Sequence, residues 1–346
     1  MPDIFSLTEE DWVLLLRDIN KDAPVFYSRS IFSWIHRKNI WDISLFSDLP
    51  KALRSDLKKR VKTNIPLILN NTFTSADGAT KFLYATFDGF PVESVYIPYK
   101  QRVSLCISTQ IGCKFGCKFC YSGKFGFKRN LSVGEILMQV YLAEMNQGRK
   151  ITHIVFMGSG EPLDNFENVK KAIGILNHRG GRNISMRRIT VSTVGILPNL
   201  RGIGNSLPRI NLAVSLHNPI DKERQGIMPV AKLYPLKELI SVLIEYQKKT
   251  RRQVTFEYVV LPGENTLTRH IKAIKEIYSK LDCSFNLIPR NELGYGMAKA
   301  KTEAKKFLKI LKLNGISKAT VRTSRGSDVL AACGQLLCRA QQSAAV

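Results

Sequence analysis

Four of the chain's seven cysteines lie in one short stretch, CISTQIGCKFGCKFCYSGKFGF, at residues 106–127. Three of them, Cys113, Cys117 and Cys120, form a C-x₃-C-x₂-C pattern. Three thiolates on a tight loop can hold three corners of a 4Fe–4S cluster and leave the fourth iron open. Zinc is the competing interpretation, but structural zinc sites take a fourth protein ligand, and no second Cys or His pair follows nearby. The spacing favours the iron–sulfur cluster over zinc and over three structural cysteines.

Further polar residues that could bind a ligand follow the predicted strands. The segments GSGEPL, STVG, SLHNP and PRNE contain Gly160 and Glu161, Ser192, Ser215 to His217, and Asn291. In α/β barrels the active site is built from the loops at the C-terminal ends of the strands. Each segment alone is a weak signal, because a strand end or a turn explains it equally well. Together they predict one mouth on which these side chains converge.

The elements that must position these residues begin near residue 100. Strand-like runs alternate there with helical segments, which predicts an α/β domain with a largely parallel sheet, either open or closed into a barrel. The predicted strands are VSLCIS, ITHIVFMG, RRITVST, RINLAVSL, QVTFEYVV, CSFNLIP and KATVRTS. The predicted helices between them include residues 133–147, 167–177, 236–248 and 268–281.

The first hundred residues have a different pattern. Amphipathic helices are predicted at residues 7–20, 28–38 and 49–61. A small antiparallel meander follows, with hairpin turns at Asp77-Gly78 and Asp88-Gly89. The resulting organisation is a helical accessory domain at 1–70, a β extension at 71–98, the α/β domain with a C-terminal cysteine segment at 99–337, and a disordered tail at 338–346.

The charge of the chain indicates a polyanionic partner. The 346 residues carry 52 Lys and Arg against 28 Asp and Glu, a net charge of +24. Residues 101–130 and 178–209 carry six basic residues each and no acid, and residues 297–326 carry nine against one. Such segments are typical of a nucleic-acid footprint. They are expected to flank the mouth, while the helix with Lys51, Arg54, Lys58, Lys59 and Arg60 is expected to bind phosphates outside it. The N-terminus lacks a signal-peptide pattern, so a cytoplasmic protein without membrane contact is expected.

The cysteine pattern, followed by the aromatic Tyr121 and combined with the strand-end segments, resembles the radical S-adenosylmethionine (SAM) superfamily. The resemblance implies a partial (β/α)6 TIM-like barrel of the radical SAM type. It also implies that one 4Fe–4S cluster is held by Cys113, Cys117 and Cys120, and that its open iron binds SAM. The SAM contacts implied by the resemblance are Gly160, Glu161, Ser192, Ser215, Leu216, His217 and Asn291.

Two further cysteines resemble those of one group within that superfamily. Cys333 lies in RGSDVLAACGQL, and Cys106 precedes the cluster motif. On sequence alone each is better explained as a small buried residue. With Glu93 in the segment Val92-Glu93-Ser94, however, they resemble the RlmN family of RNA adenine methyltransferases. The resemblance implies that Cys333 carries a methyl group as S-methylcysteine. It also implies that Cys106 removes a proton and forms a disulfide with Cys333, and that Glu93 is an alternative proton acceptor.

The same resemblance implies the reaction and its partners. The family methylates carbon 2 of adenosine 2503 in 23S rRNA and of adenosine 37 in tRNAs. Each turnover uses two SAM molecules and electrons from a flavodoxin-type donor, and the enzyme is expected to be a monomer. Two departures, Ser159 and Glu292, replace the family's methionine and proline and leave the substrate range open.

Two alternatives remain. Carbon-8 methylation of the Cfr type is the first, although Pro162 in GEPL favours carbon 2. A non-catalytic iron–sulfur RNA-binding protein is the second. Cys283 and Cys338 are expected to be structural.

Overall fold

The computed structural model describes residues 1–291 and 295–336. Glu292, Cys338 and the predicted disordered tail at 338–346 lie outside the described residues. The sequence predictions for those positions therefore stay predictions.

Three helices form the N-terminal part of the chain, as predicted. They are α1 (Glu9–Ile19), α2 (Phe26–His36) and α3 (Lys51–Arg60), with 3₁₀ turns at Ile4–Ser6 and Ile43–Leu45. A capping box starts α1: the Thr8 hydroxyl accepts from Asp11 N, and the Asp11 carboxylate accepts from Thr8 N. Such a cap stabilises a helix by about 1 kcal/mol. The apolar faces of α1 and α2 bury Trp12 and Phe32.

Three antiparallel strands connect these helices to the rest of the chain. They are β1 (Leu67–Thr74), β2 (Thr80–Thr86) and β3 (Pro91–Pro98), and β2 pairs with both neighbours. Both predicted hairpin turns are confirmed, with Gly78 at φ 83° and Gly89 at φ 80°, where a side chain would be strained. The turn between β1 and β2 contacts the C-terminal cysteine segment.

The α/β domain contains seven mutually parallel strands among the described residues. Strand β4 joins them to β3 in an antiparallel pair, so the sheet has the order β1-β2-β3-β4-β7-β8-β9-β10-β11-β12. A separate pair, β5 and β6, flanks the cysteine loop. The strands are β4 (Val103–Cys106), β5 (Gln110–Ile111), β6 (Arg129–Asn130), β7 (His153–Phe156), β8 (Ile189–Thr193), β9 (Asn211–Ser215), β10 (Val254–Val259), β11 (Cys283–Ile288) and β12 (Ala319–Val321).

Helices alternate with these strands, which confirms the predicted α/β pattern. They are α4 (Tyr121–Phe125), α5 (Val133–Gln147), α6 (Phe166–Asn177), α7 (Leu197–Ser206), α8 (Asp221–Ile227), α9 (Leu236–Thr250), α10 (Thr268–Lys280) and α11 (Met297–Leu313), with 3₁₀ turns at Met186–Arg188, Pro229–Lys232 and Ser327–Val329. Helix α5 shows why the boundaries were predictable. Ser132 and Glu135 form a capping box at its start, and Gly148 ends it in the left-handed conformation.

The N-terminal helices share one hydrophobic core with the α/β domain. Trp12 and Phe32 belong to the same buried cluster as Tyr141 of α5. Polar contacts reinforce this packing: His36 Nδ1 lies 2.7 Å from Tyr141 Oη, and Arg182 Nη1 donates to the His36 carbonyl at 2.7 Å. The accessory helices are therefore fixed against the back of α5. Within the described residues, no helix combines the length and apolarity that crossing a membrane requires.

Candidate active site

A cavity of about 370 Å³ lies at the C-terminal ends of the parallel strands. It takes lining residues from the exits of β7, β8, β9, β10 and β11, and from the cysteine loop, so the predicted convergence of these loops is confirmed. Most residues predicted as cluster, SAM or methyl-carrying residues line it: Cys113, Cys117, Cys120, Gly160, Glu161, Ser192, Ser215, His217, Asn291 and Cys333. Leu216, Cys106 and Glu93 are outside that lining.

The cysteine loop is shaped by close backbone contacts. Gly112 has φ 72°, and a Cβ there would lie 1.6 Å from the Gly126 carbonyl oxygen. Cys120 N donates to the Cys117 carbonyl at 3.0 Å, which closes a turn between two of the cysteines. Only glycine therefore fits at residue 112, and the loop directs its cysteines toward the cavity.

The thiols of the cysteine loop are buried close to one another, which raises the pKa of two of them. Burial, reinforced by the neighbouring Cys120 and by Glu161, raises the pKa of the Cys113 thiol to about 12. Burial and the other two cysteines likewise raise the pKa of Cys117. Among the described residues, no three His, Cys, Asp or Glu side chains surround a point where one metal ion would bind. Three thiolates on one loop fit a 4Fe–4S cluster, because each thiolate of a cubane binds a different iron.

Glu161 is buried and orders two neighbouring strand exits. Its carboxylate accepts from Val194 N at 2.8 Å and from Leu163 N at 2.9 Å, and Glu161 N donates to Gln110 Oε1 at 2.8 Å. Burial outweighs these bonds and raises the pKa of Glu161 to about 7. The preceding Gly160 has φ 96°, and a Cβ there would lie 2.4 Å from Gln110 Cβ. The pair is positioned to receive a cationic ligand group such as an ammonium.

One buried cation holds the exits of β8 and β9, and it has no recognisable signal in the sequence. Arg224, at the end of α8, donates to the carbonyls of Val194, Ser215 and Leu216 at 3.0–3.2 Å. Leu216 is fully buried, and its predicted contact with SAM stays a prediction. Burial lowers the pKa of Arg224 to about 10, which leaves it charged at neutral pH.

His217 is a neutral, buried ring at the cavity wall. Its Nδ1 accepts from Val259 N at 3.0 Å, and its ring packs edge-on against Phe119 at 4.4 Å. Burial lowers the pKa of His217 to about 3, with Arg224 acting in the same direction. Its backbone has φ 53°, a conformation that few residues other than glycine adopt. This strain turns the chain abruptly after β9.

The Cys333 segment lies against the cysteine loop and the exit of β11. Asn291 Nδ2 donates to the Cys333 carbonyl at 3.2 Å, and Gln335 Nε2 donates back to the Asn291 carbonyl at 3.0 Å. Tyr121 N donates to the Gly334 carbonyl at 2.9 Å. The amide of Asn291 therefore holds the backbone of Cys333, and its predicted contact with SAM stays a prediction.

A clamp formed by the β1–β2 turn holds the residues just before Cys333. Asp328 accepts from the Ser75 hydroxyl at 2.6 Å and from Ala76 N at 3.1 Å. In the same turn, Asp77 Oδ2 accepts from Gly326 N at 3.1 Å. The small β extension therefore fixes a segment that lies about 250 residues further along the chain.

Cys106 ends strand β4 and packs against the C-terminal segment. It forms a small apolar cluster with Val95, Ala331 and Leu336. Burial raises the pKa of the Cys106 thiol to about 12; Cys333 adds to this shift, while Arg322 opposes it. The six described cysteines are all free thiols, so the disulfide between Cys106 and Cys333 that the resemblance implies is absent from this state.

Arg322, directly after β12, is a cation that acts on the pKa of both thiols. Its Nη1 lies 3.9 Å from Glu257 Oε2 and 3.2 Å from Met157 Sδ. Burial raises the pKa of Cys333, Glu257 raises it further, and Arg322 lowers it. Arg322 thereby favours a thiolate at Cys333. A lone arginine after a short strand gave no sequence signal for this role.

Glu93 belongs to a buried ion pair with Lys81. Its Oε1 lies 3.3 Å from Lys81 Nζ, and both side chains are at most 3% exposed. Lys81 Nζ also donates to the Leu330 carbonyl at 3.4 Å. Glu93 is two residues before Val95, the cross-strand partner of Cys106, so its side chain is on the same face of the sheet. A single lysine in a β-rich run gives no sequence signal for this role.

Ser159, one of the two departures, is buried below the cysteine loop. Its backbone N donates to Ser108 Oγ at 2.9 Å, and its hydroxyl donates to the Gly112 carbonyl at 3.4 Å. It therefore supports the turn that carries the cysteines. The second departure, Glu292, lies outside the described residues.

The prediction that the basic segments flank the mouth is wrong for some of their arginines. Arg187 and Arg188 precede β8, and Arg102 precedes β4, so they lie at the strand ends opposite to the mouth. In parallel strands, residues before and after a strand lie on opposite edges of the sheet, and the charge pattern alone does not specify which. On helix α3, Lys58, Lys59 and Arg60 are ion-paired with Asp42, Asp56 and Asp18.

Known proteins resemble both the sequence and the structure. Residues 107–272 match the family model of the Radical SAM superfamily. The "Probable dual-specificity RNA methyltransferase RlmN" of Clostridium perfringens (strain SM101 / Type A) is 39% identical over 338 residues, covering 97% of this chain and 96% of the relative. The protein of the same name from Clostridium novyi (strain NT) is 38% identical over 336 residues, covering 96% of both chains. A crystal structure of a radical SAM methyltransferase from Sphaerobacter thermophilus superposes with a TM-score of 0.86 at 37% identity, covering 97% of this chain and 99% of that one.

Proposed function

Because the chain belongs to the RlmN family of the radical SAM superfamily, we propose that it methylates carbon 2 of adenine in RNA. Its targets are adenosine 2503 of 23S rRNA and adenosine 37 of tRNAs. Family membership confirms the resemblance and the radical SAM fold that were predicted from the sequence. The observation that carries the proposal is the position of Cys333. This thiol lines the cavity of the three-cysteine loop, and Cys106 lies beside the same C-terminal segment.

The cysteine loop would bind the cluster, and the strand exits would bind SAM. Cys113, Cys117 and Cys120 would hold a 4Fe–4S cluster, which when bound supplies the electron that cleaves SAM into methionine and a 5′-deoxyadenosyl radical. The buried carboxylate of Glu161 attracts the ammonium group of SAM, since an opposite charge favours the ionised form of a buried acid. Ser192, Ser215 and the neutral ring of His217 complete the wall around the ligand.

Cys333 is the residue that carries the methyl group. Carbon 2 of adenine is electron-poor and does not displace a methyl group from SAM, whereas a thiolate does. The Cys333 sulfur forms a bond to the methyl carbon of one SAM, and S-adenosylhomocysteine leaves. Arg322 stabilises the thiolate that makes this attack. Removal of a hydrogen atom from the S-methyl group requires a second SAM molecule. The carbon of that group then bonds to carbon 2 of the adenine.

Cys106 completes the reaction by releasing the product. After Cys106 removes the carbon-2 proton, the adduct passes its unpaired electron to a one-electron acceptor, the oxidised form of the protein's electron donor. Cys106 then releases its proton to solvent, its sulfur attacks the Cys333 sulfur, and the electron pair of the bond from Cys333 to the bridging carbon stays on that carbon. That carbon takes up a proton and becomes the methyl group of the base. The disulfide that remains accepts two electrons from an external donor of the flavodoxin type before the next turnover. Glu93, ion-paired with Lys81, is the alternative proton acceptor.

The deciding experiment is mass spectrometry of RNA treated with the cluster-loaded enzyme under anaerobic conditions. Nuclease digests of 23S rRNA transcripts and tRNAs are compared with 2-methyladenosine and 8-methyladenosine standards. We expect 2-methyladenosine. A product that comigrates with the carbon-8 standard contradicts the proposed position, and the absence of any methylated adenosine contradicts the proposed activity.

Two cysteine variants test the division of labour. Cys333→Ala is expected to abolish methylation, and Cys106→Ala is expected to accumulate a covalent protein–RNA adduct that nuclease treatment reduces to a protein-bound nucleotide. Cys283→Ala serves as the control, since Cys283 is buried at the start of β11. A Cys333→Ala enzyme with normal activity would favour a non-catalytic iron–sulfur RNA-binding protein.

A further inference from the structure

The outer side of the cysteine loop is exposed and basic. Lys114, Lys118, Lys124 and Lys128, here called the lysine face, are exposed, while the three cysteines of the loop are half-buried. Lys114 directly follows the first cysteine of the motif, and Lys118 directly follows the second. Consecutive Cα atoms are about 3.8 Å apart, so a protein that contacts these lysines comes within one residue of the sulfurs that would hold the cluster.

Most of the positive charge on the lysine face is uncompensated. Residues 101–130 contain six basic residues and no acid. Lys114 Nζ lies 2.5 Å from Asp164 Oδ1. Among the residues that the structure describes, Lys118, Lys124 and Lys128 are not ion-paired with any acid. Three cations beside the cluster loop are therefore available to an acidic partner.

Exposed aromatic side chains accompany the lysines. Phe127 is 39% exposed, and Lys114 Nζ lies 5.9 Å from the centroid of its ring. Arg129 forms two hydrogen bonds of 2.7 Å with Asp88, which hold the β2–β3 turn beside the end of the loop. Phe87 in that turn is 94% exposed. Aromatic residues are enriched at the centres of protein interfaces, and charges at the rim steer the encounter.

The other side of the loop is covered by the C-terminal cysteine segment. Tyr121 N donates to the Gly334 carbonyl at 2.9 Å, and a Cβ at Gly334 would lie 3.1 Å from the Phe119 carbonyl oxygen. In the proposed reaction the RNA lies at Cys333 when the cluster takes up its electron and when the adduct gives one up. A redox partner therefore has to approach from another side, and the lysine face is open to it.

The kind of cation on this surface favours a protein partner over RNA. Arg129 is held by the carboxylates of Asp88 and Glu135, so the exposed cations of the loop are lysines. Arginine is the residue preferred for bidentate recognition of phosphate, whereas lysine is a flexible point charge. Point charges around a small apolar area suit the small, short-lived interfaces of electron-transfer complexes.

We propose that the lysine face is the docking surface of the electron donor, an acidic protein of the flavodoxin type. Carboxylates of the donor contact Lys118, Lys124 and Lys128, and an apolar side chain of the donor packs on Phe127. For each SAM that is cleaved, the reduced flavin loses one electron and the cluster gains it. This inference rests on the proposed function for the need of a donor, and it adds the surface on which the donor docks.

Charge reversal on the lysine face tests the inference. Lys124→Glu/Lys128→Glu is chosen because neither lysine is adjacent to a cysteine of the motif. Lys305→Glu/Lys306→Glu is the control, since it makes the same charge change on the exposed face of α11. The probe is fluorescein-labelled flavodoxin, whose Kd for the full cluster-loaded protein is measured by anisotropy. Formation of 5′-deoxyadenosine is measured with flavodoxin, its reductase and NADPH, and separately with dithionite, which needs no docking surface.

We expect Lys124→Glu/Lys128→Glu to raise the Kd and the KM for flavodoxin at least tenfold at low salt, with a smaller effect at high salt. With dithionite, 5′-deoxyadenosine formation should stay within twofold of the wild type, which a misfolded protein or a lost cluster would not allow. The affinity for RNA should also stay within twofold. The α11 control should change none of these quantities, and Lys124→Arg/Lys128→Arg should recover most of the flavodoxin binding.

Three results would overturn the inference. The first is an unchanged Kd for flavodoxin, and the second is an equal loss of activity with both reductants, which would mean that the lysines support the cluster instead of the donor. The third is a loss of RNA affinity with flavodoxin affinity unchanged, which would assign the lysine face to RNA. Failure of the proposed function is separate, because the wild-type protein supplied with dithionite then methylates no adenosine.

Discussion

Arg322 and Glu257 act on the Cys333 thiol with opposite signs. Arg322 lowers the pKa of Cys333, and Glu257 raises it. Arg322→Gln should therefore shift the pH dependence of Cys333 alkylation by iodoacetamide to higher pH, and Glu257→Gln should shift it to lower pH. Peptide mass spectrometry of the cluster-loaded enzyme measures both. Lys309→Gln on the exposed face of α11 is the control. Shifts in the same direction for both variants would contradict this electrostatic account.

The buried ion pair of Lys81 and Glu93 lies next to the site, and it is also expected to contribute to the free energy of unfolding. Removing one partner of a buried ion pair leaves a charge without compensation, at a cost of about 3–5 kcal/mol. Lys81→Met should therefore lower the free energy of unfolding by an amount of that order, and Lys81→Met/Glu93→Leu should recover much of the loss. Urea denaturation measures both variants. If Lys81→Met unfolds like the wild type, the ion pair contributes nothing to stability.

Among the elements, the β1–β2 turn is the one whose function is least apparent from its sequence. Its residues donate hydrogen bonds to residues 325–328 and accept hydrogen bonds from them. These bonds determine where Cys333 lies. Asp328→Ala removes two of these bonds. We expect it to lower RNA methylation at least tenfold while the affinity for SAM changes less than twofold, because the strand exits that line the SAM cavity are untouched.

Limited proteolysis is the second measurement for Asp328→Ala. Cleavage within residues 325–336 should become faster, since the segment loses its anchor. Asp56→Ala is the control, because among the described residues the Asp56 carboxylate on α3 is paired with Lys59, three residues away. Loss of SAM affinity equal to the loss of methylation would show that the turn supports the whole cavity instead of the C-terminal segment alone.

The elements that bear strong local signals were predictable, and those that depend on distant contacts were not. The alternation of strands and helices gave the α/β domain, and Asp77-Gly78 and Asp88-Gly89 gave both hairpins, because turn chemistry is local. The three-cysteine loop was identified by its spacing. Arg224, Lys81 and Arg322 were missed, since a single basic residue has no periodicity or spacing that indicates burial. Their functions depend on partners that lie near them only in the folded chain.

At the scale of the whole molecule, two buried neutral histidines make the fold sensitive to acid. Burial lowers the pKa of His36 and of His217 to about 3. Above pH 6.5 both folded and unfolded chains keep them neutral, so their effect on stability is nil. As the pH falls below 6.5, only the unfolded chain takes up the protons, and stability is lost. The loss amounts to about 2 kcal/mol per histidine between pH 7 and pH 5.

Urea denaturation at pH 7 and pH 5 measures this loss. His36→Leu should be less stable than the wild type at pH 7, because Tyr141 Oη loses its partner, but it should lose about 2 kcal/mol less on acidification. His178→Leu is the comparison, since the side chain of His178 is 34% exposed. An acid response of His36→Leu equal to that of the wild type would mean that another group takes up the protons.

The clamp between the β1–β2 turn and Asp328 has a consequence for the order of folding. It joins residues 252 and 253 positions apart, so the chain between them has to be compact before the bonds can form without a large loop-closure cost. We expect the parallel strands to assemble first and the segment with Cys333 to dock last. In native-state hydrogen exchange, the amides of residues 326–336 should open well before those of β9 and β10. The reactive thiol is then brought into place only after the cavity around it exists.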